Sequence, residues 1–168
     1  SSDREALIDA LHDLKDQLIE KAKPGQRFTA LQEEMHQSLA DILIHHDLYR
    51  GSAESAVSEG VTRAFCPHGL GHLLGIQVHD VAGLRTPAGE PAPAPSEHPA
   101  LRLTRELEAG MVITIEPGLY FIPMLLAPLR QQSLPINWIL VEQLTPCGGI
   151  RIEDNIVITE NGHENLTP

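Results

Sequence analysis

Three short segments of the chain gather polar side chains among glycines and β-forming residues, at 67–80, 114–118 and 148–155. The side chains in them that could do chemistry are imidazoles, carboxylates and a guanidinium, from His68, His72, His79, Glu116, Glu153 and Arg151. Imidazole nitrogen and carboxylate oxygen together suit divalent ions such as zinc, manganese, cobalt or iron. A metal-binding site is therefore one interpretation of these segments.

The alternation of residue types predicts where the carboxylates point. On a strand, alternate residues share a face, so Arg151 and Glu153 would lie together, opposite the isoleucines between and beside them. We expect both to project from one strand into the cleft that also holds Glu116 and His72. Carboxylates in such a cleft could bridge two metal ions.

Each of these residues also has an ordinary interpretation. A single histidine is usually a surface or core residue, and a glutamate on a strand usually faces solvent. Arg151 could simply pair with a neighbouring acid, and Asp80 and Asp154 could be turn residues or support for other side chains. His68 and His72 are four apart without the glutamate of a zincin motif. Spacing alone leaves the metal site open.

The first third of the chain carries apolar residues at helical spacing. They predict a helix ending near Lys21, a break at Pro24-Gly25, a second long helix, and a short third helix that Gly60 stops. The caps that we expect are two capping boxes and one serine cap: Ser2 with Glu5, Thr29 with Gln32, and Ser52.

Beyond Gly60 the pattern changes to strands and loops. Alternation predicts strands at 76–79, 112–116 and 150–158, and five prolines between Pro87 and Pro99 predict a surface loop. The predicted fold class is α+β, with helices first and a mostly antiparallel sheet after them, in one domain over 1–168.

Composition excludes several classes of function. The formal net charge of −11 argues against nucleic acid or an anionic membrane as a partner. The sequence has no apolar run of about 18 residues and no signal-peptide pattern at its start. Its two cysteines, Cys66 and Cys147, are far apart, which favours free thiols and a cytoplasmic location.

Taken together, the segments resemble those of the pita-bread metallopeptidases. The resemblance rests on His-Gly-Leu-Gly-His at 68–72, Val-His-Asp-Val at 78–81, Glu-Pro-Gly-Leu-Tyr at 116–120 and Gly-Ile-Arg-Ile-Glu-Asp-Asn at 149–155. It extends from about Leu7 to Asn165 and is greatest to the Xaa-Pro dipeptidase (prolidase) subgroup. What it implies for the fold is helices packed on a curved, mostly antiparallel sheet.

The resemblance also implies roles for individual residues. His72, Glu116 and Glu153 would be metal ligands, with Glu153 bridging two ions and Glu116 also moving a proton. His79 would contact the substrate and its tetrahedral intermediate, and His68 would line the specificity pocket. The free carboxylate of a dipeptide would be held by Arg102 or Arg151, whose planar guanidinium matches it.

The activity implied is hydrolysis of Xaa-Pro dipeptides with two divalent ions, manganese first and cobalt or zinc as alternatives, in a homodimer. Slow hydrolysis of organophosphate esters would be a side activity. Two other functions stay open: an aminopeptidase P-type enzyme acting on longer peptides, and a non-catalytic assembly module of the same fold.

One departure from the family pattern concerns the metal ligands. The family has a further pair of aspartate ligands on a strand before the long helix that begins here, and the aspartates of the first helix do not match that pattern. The chain thus resembles only the C-terminal part of the catalytic domain. We expect residues 1–168 alone to bind metal weakly or not at all and to be inactive.

Overall fold

The computed structural model describes residues 2–168. Four helices come first: α1 Ser2–Glu20, α2 Phe28–His45, α3 Ala53–Ser58 and α4 Val61–Phe65. After a 3₁₀ turn at Val81–Leu84 follow β1 Val112–Ile115, β2 Gly118–Tyr120, α5 Pro123–Arg130, α6 Trp138–Leu144, a 3₁₀ turn at Thr145–Cys147, β3 Gly149–Arg151, β4 Asp154–Ile158 and β5 His163–Asn165. The predicted α+β class, with helices before an antiparallel sheet, is confirmed.

The apolar stripes of α1 and α2 form the helical side of the core. Leucines of α1 and the aromatic and aliphatic residues of α2 are almost completely buried, among them Leu11, Phe28, Leu31 and Leu39. Their i, i+3, i+4 spacing puts them on one face of each helix, which explains why two helices pack together on the sheet. No helix within residues 2–168 is long and apolar enough to cross a membrane.

The helix caps differ from the prediction in one case. Ser52 does cap α3, accepting a hydrogen bond from the Ser55 N–H at 3.1 Å, and Gly60, with a φ of 77°, leads from α3 into α4. The capping box at Thr29 is wrong, because α2 begins at Phe28 and Gln32 is buried inside it. α1 begins at Ser2 itself, so its cap position falls outside the described residues.

The strands form a three-stranded antiparallel sheet in the order β1-β4-β5 and a two-stranded one, β2-β3. Two of the ladders share a common register. β1 pairs with β4, Ile115 opposite Asp154, and β2 pairs with β3, Gly118 opposite Arg151. Between the ladders, the N–H of Ile152 donates to Pro117 O at 3.1 Å. The predicted single strand over 150–158 is therefore interrupted at 152–153, opposite a matching interruption at 116–117.

The strand predicted at 76–79 is absent. These residues form a bend in which the N–H of Gly75 donates to Gln77 O at 3.2 Å, and Ile76 is fully exposed. The apolar alternation there has no core to face, so it does not produce a strand. The proline-rich segment at 87–99 is a loop, as predicted, and Cys66 and Cys147 are free thiols.

Candidate active site

The side chains selected from the sequence converge on one cleft of about 190 Å³. Its lining comes from the loop after α4, from the bend near residue 79, from the loop before β1, and from the ends of β1 and β3. The side chains that line it are His68, His72, His79, Arg102, Glu116 and Arg151. Glu153, the remaining predicted residue, lies next to the cleft beside Arg151.

The loop holding His68 and His72 lies against β1 like a short additional strand. The N–H of Thr114 donates to His72 O at 2.9 Å, and the N–H of Glu116 donates to Leu70 O at 2.7 Å. Gly71 permits this approach, because a Cβ there would collide with the carbonyl oxygen of Thr114. The backbone therefore places His72 and Glu116 side by side.

The Thr114 hydroxyl connects these two residues. It accepts a hydrogen bond from the His72 N–H at 3.0 Å and donates one to Glu116 Oε1 at 3.0 Å. All three residues are buried. With both its donor and its acceptor functions used, the hydroxyl fixes the Glu116 carboxylate relative to the histidine loop.

The His72 ring presents a nitrogen lone pair to Glu116. Its Nδ1 lies 2.9 Å from Leu73 O, an acceptor, so Nδ1 carries the hydrogen in the neutral ring. Its Nε2 then faces Glu116 Oε1 at 3.4 Å. Because two acceptors cannot bond to each other, this arrangement needs a proton or a cation between them.

Arg151 lies between the two glutamates. Its Nε is 3.8 Å from Glu116 Oε2 and 3.9 Å from Glu153 Oε2. These distances are too long for hydrogen bonds but short enough for electrostatic attraction. The guanidinium thus balances the charge of two carboxylates that face the same space.

His79 and His68 border the cleft on different sides. The ring of His79 meets the ring of His72 edge-on, with 4.4 Å between centroids. His79 is exposed, but desolvation of its ring and the neighbouring His72 and Arg102 lower its pKa. The Nε2 atom of His68 is buried and has no hydrogen-bond partner among the described residues, while its Nδ1 contacts Gly69 O at 2.8 Å.

Two residues at the cleft had no predicted role. Thr114 could have been found, because strand alternation puts it on the face of Glu116 two residues away. Tyr120 packs edge-on against His68 with 5.3 Å between ring centroids, and burial raises the pKa of its phenol. Nothing in the local sequence pattern distinguishes Tyr120 from an ordinary strand residue.

The donor set for a metal is only partly assembled. His72 and Glu116 supply two adjacent donors, whereas Arg151 separates Glu116 from Glu153. Within residues 2–168, no group of three or more His, Cys, Asp or Glu side chains is disposed to hold a metal ion. The described residues alone therefore do not fit a complete metal centre.

Two interrupted antiparallel segments beneath two long helices, with imidazole and carboxylate groups facing each other at the interruption, are typical of the pita-bread metallopeptidase fold. The chain belongs to metallopeptidase family M24, which it matches over residues 1–160. The resemblance stated from the sequence is thereby confirmed.

Among curated proteins, the chain is similar to Xaa-Pro dipeptidases. It is 50% identical over 165 residues to that of Marinobacter nauticus, covering 96% of this chain and 37% of the relative. It is 51% identical over 170 residues to that of Yersinia enterocolitica, covering 99% and 38%. The chain thus spans less than two fifths of the length of these relatives.

Solved structures of aminopeptidase P have the same fold. Proline aminopeptidase P II from Yersinia pestis matches with a TM-score of 0.73 and 32% identity, covering 99% of this chain and 32% of that one. Zn-substituted Escherichia coli aminopeptidase P in complex with product matches with a TM-score of 0.73 and 29% identity, covering 99% and 31%.

Proposed function

We propose that residues 1–168 are the C-terminal part of the catalytic domain of an Xaa-Pro dipeptidase, which hydrolyses the bond before proline. Identity of about one half to curated Xaa-Pro dipeptidases supports this substrate class. The observation that carries the proposal is the contact of Glu116 with His72, with Glu153 opposite Glu116 where the pairing of the strands is interrupted.

Electrostatics supports a cation at this position. Like charges directly opposite on neighbouring strands are destabilising, and the His72–Glu116 contact joins two acceptors. The M24 peptidases use divalent metals. We therefore assign His72, Glu116 and Glu153 as this chain's metal ligands, with manganese as the first candidate and cobalt or zinc as alternatives. The ligands that complete the centre must come from outside residues 2–168.

The two arginines of the cleft are suited to different partners. Both arginines are exposed and line the cleft, but Arg151 already faces the carboxylates of Glu116 and Glu153. We assign to Arg102 the capture of the free carboxylate of a dipeptide, which a guanidinium binds through two parallel hydrogen bonds. Arg151 then mainly balances charge.

The other side chains of the cleft are suited to hydrolysis of the imide bond before proline. Proline nitrogen carries no hydrogen in a peptide, so recognition cannot use an N–H donor at that position. The leaving nitrogen must gain a proton, and we assign this transfer to Glu116, which Thr114 orients. His79 and His68 border the cleft where their ring nitrogens can bond the substrate.

An aminopeptidase P-type function is the alternative, supported by the solved structures that share the fold. The two functions differ in whether a free carboxylate directly follows the proline. Arg102 in the lining of the cleft favours the dipeptidase, because it would pair with that carboxylate.

A chimera tests the proposal. Residues 1–168 replace the matching segment of the Marinobacter nauticus Xaa-Pro dipeptidase, and proline release is measured from an Xaa-Pro dipeptide and cleavage from an Xaa-Pro-Yaa tripeptide. We expect manganese-dependent hydrolysis of the dipeptide, with loss of activity on Glu153→Gln. A folded chimera that prefers the tripeptide supports aminopeptidase P instead, and one that cleaves neither substrate contradicts both functions.

Three further proposals follow from the family resemblance and from the cysteines. We propose a homodimer, slow hydrolysis of organophosphate esters, and, from the two free thiols, a cytoplasmic location. Light scattering gives the mass of the assembly, an ester assay gives the side activity, and imaging of a tagged parent protein gives the location.

A further inference from the structure

A buried glutamine on α2 holds the loop of the candidate active site. Gln32 is 2% exposed, and its Oε1 accepts a hydrogen bond from the N–H of Leu70 at 2.7 Å. Leu70 is the middle residue of the segment that carries His68 and His72. The contact therefore joins a helix of the core to the centre of that segment.

The N–H and C=O groups of Leu70 connect Gln32 to Glu116 on the opposite side of the cleft. While the N–H of Leu70 donates to Gln32, its carbonyl accepts the N–H of Glu116 at 2.7 Å. Gly69 and Gly71 flank Leu70, so neighbouring side chains cannot hold the segment. Two hydrogen bonds of its own N–H and C=O groups, together with its fully buried side chain, therefore set the position of Leu70.

A chain of polar contacts sets the orientation of the Gln32 amide. Its Nε2 lies 3.4 Å from Nδ1 of His98, and the ring of His98 stacks on that of His36 with 4.9 Å between centroids. His36 in turn contacts the Thr62 hydroxyl at 3.0 Å. Burial lowers the pKa of His98 and that of His36, the latter to about 4, so both rings are neutral near pH 7.

A neutral His98 can accept at Nδ1 the hydrogen that the Gln32 amide donates. The amide oxygen then points towards the N–H of Leu70, so the nitrogen and the oxygen of the Gln32 amide both have partners. A buried amide without such partners would be destabilising, and an apolar residue in its place would leave the buried N–H of Leu70 without this acceptor. These contacts therefore indicate that Gln32 does more than fill space in the core.

We propose that Gln32 is a positioning residue of this site: through Leu70 it fixes the distance between the histidine segment and Glu116. The proposal rests on the proposed function for its catalytic meaning. Its structural part is independent, since it concerns only the backbone of residues 68–72 and 116.

The test uses the 168-residue chain and amide resonances measured by NMR. Gln32→Met keeps the length of the side chain but removes the acceptor, Gln32→Glu keeps an acceptor, and Gln37→Met is the control at an exposed position of the same helix. We expect Gln32→Met to shift the amide resonances of Leu70 and Glu116 and the ring resonances of His72. We expect Gln32→Glu to restore them largely, and Gln37→Met to leave them unchanged.

The same variants in the chimera test the catalytic consequence. We expect Gln32→Met to lower kcat/KM per folded molecule about 10- to 100-fold, the range for residues that hold a ligand in place, and Gln32→Glu to recover most of it. If the parent chimera is inactive, the proposed function fails, while the resonances still decide the positioning by Gln32.

Unchanged Glu116 and His72 resonances in a folded Gln32→Met chain would overturn the inference. So would equal shifts in Gln37→Met. If Gln32→Met does not fold, His98→Phe keeps the ring stack on His36 but removes the acceptor for the Gln32 amide. A Leu70 shift in that variant then supports the inference, and no shift overturns it.

Discussion

Glu116 and Glu153 stand opposite each other in one antiparallel register, at the point where the pairing of both strands is interrupted. Residues directly opposite in such a ladder share a face, so the two carboxylates face the same space. Only Arg151 supplies a positive charge between them among the described residues. The free energy of unfolding of the chain should therefore depend on this charge balance.

We predict that Glu153→Gln stabilises the chain more strongly when Arg151 is Met than when it is Arg. Removing one of two facing negative charges should raise the free energy of unfolding by about 0.2–1 kcal/mol without the arginine. With Arg151 present, the lost attraction cancels part of the gain. Urea unfolding of the single and double variants measures this, with Glu164→Gln on β5 as control. An equal effect in both backgrounds would contradict the charge-balance interpretation.

The Thr114 hydroxyl gives a second prediction. Thr114→Val keeps the shape but leaves the His72 N–H without its acceptor and Glu116 without its donor. Because these groups are buried, we expect a loss of about 1–3 kcal/mol in the free energy of unfolding. Thr114→Ser keeps the hydroxyl and should lose less. A larger loss in Thr114→Ser than in Thr114→Val would show that the methyl group, not the hydroxyl, matters.

Strand alternation in the sequence was enough to place Thr114 with Glu116, and Arg151 with Glu153, on shared faces. The interruption at 152–153 was not predicted, although three consecutive polar residues, Glu153 to Asn155, break the alternation between Ile150 and Ile158. The same rule fails at Ile76, whose alternation has no core to face. Local patterns describe periodicity, whereas these outcomes depend on contacts between distant segments.

Gln32 is a second residue whose role could not be predicted from the local sequence. Its spacing from Thr29 matches a capping box, but its partner Leu70 is 38 residues away in the chain. The family resemblance identified the fold because its segments are local. The support for those segments comes from α1 and α2, where apolar periodicity predicts the helix but not which polar residue faces the site.

A third prediction concerns pH and the buried pair Lys15–Asp154, whose Nζ and Oδ2 are 2.9 Å apart. Burial opposes ionisation of Asp154, but Lys15 and Asn165 outweigh it and hold the pKa of Asp154 below its usual value. A lowered carboxyl pKa adds stability above the unfolded value of about 3.9, which is lost as pH falls through the folded pKa.

Lys15 contributes at the other end of the pH range. Burial alone would lower its pKa, but the two neighbouring aspartates raise it. A raised lysine pKa adds stability below the unfolded value of about 10.4, which is lost as pH rises through the folded pKa.

Lys15→Met should lower the free energy of unfolding by about 3–5 kcal/mol at pH 7 and weaken its dependence on pH at both ends of the range. Denaturant titrations across pH, with exposed Lys23→Met as control, check this; a change equal to the control's contradicts it.

A fourth prediction separates the two arginines in the chimera. Arg102→Lys should raise KM for an Xaa-Pro dipeptide far more than for its C-terminal amide, because a bidentate contact to the carboxylate is lost. Arg151→Lys should affect both substrates alike, since Arg151 faces Glu116 and Glu153. Steady-state kinetics with the paired substrates decides the assignment. The reverse pattern would move the carboxylate contact to Arg151.

The last prediction concerns metal binding by the 168-residue chain. His72 and Glu116 are adjacent donors, but Glu153 is held beside Arg151, and residues 2–168 contain no complete group of donors. Loss of residues that merely support a ligand lowers metal affinity about 10–100-fold, and missing ligands should lower it further. We therefore expect weak manganese binding by the chain, tight binding by the chimera, and proline release by the chimera alone. Calorimetric titration with manganese, alongside the proline assay, compares the two proteins.

Two variants of the chain test the assignment of the ligands. Glu116→Gln should abolish the residual manganese binding of the chain, whereas Glu160→Gln, at an exposed position, should not change it. Tight binding of two ions by the chain itself would mean that other residues complete the centre and that the ligand assignment is wrong.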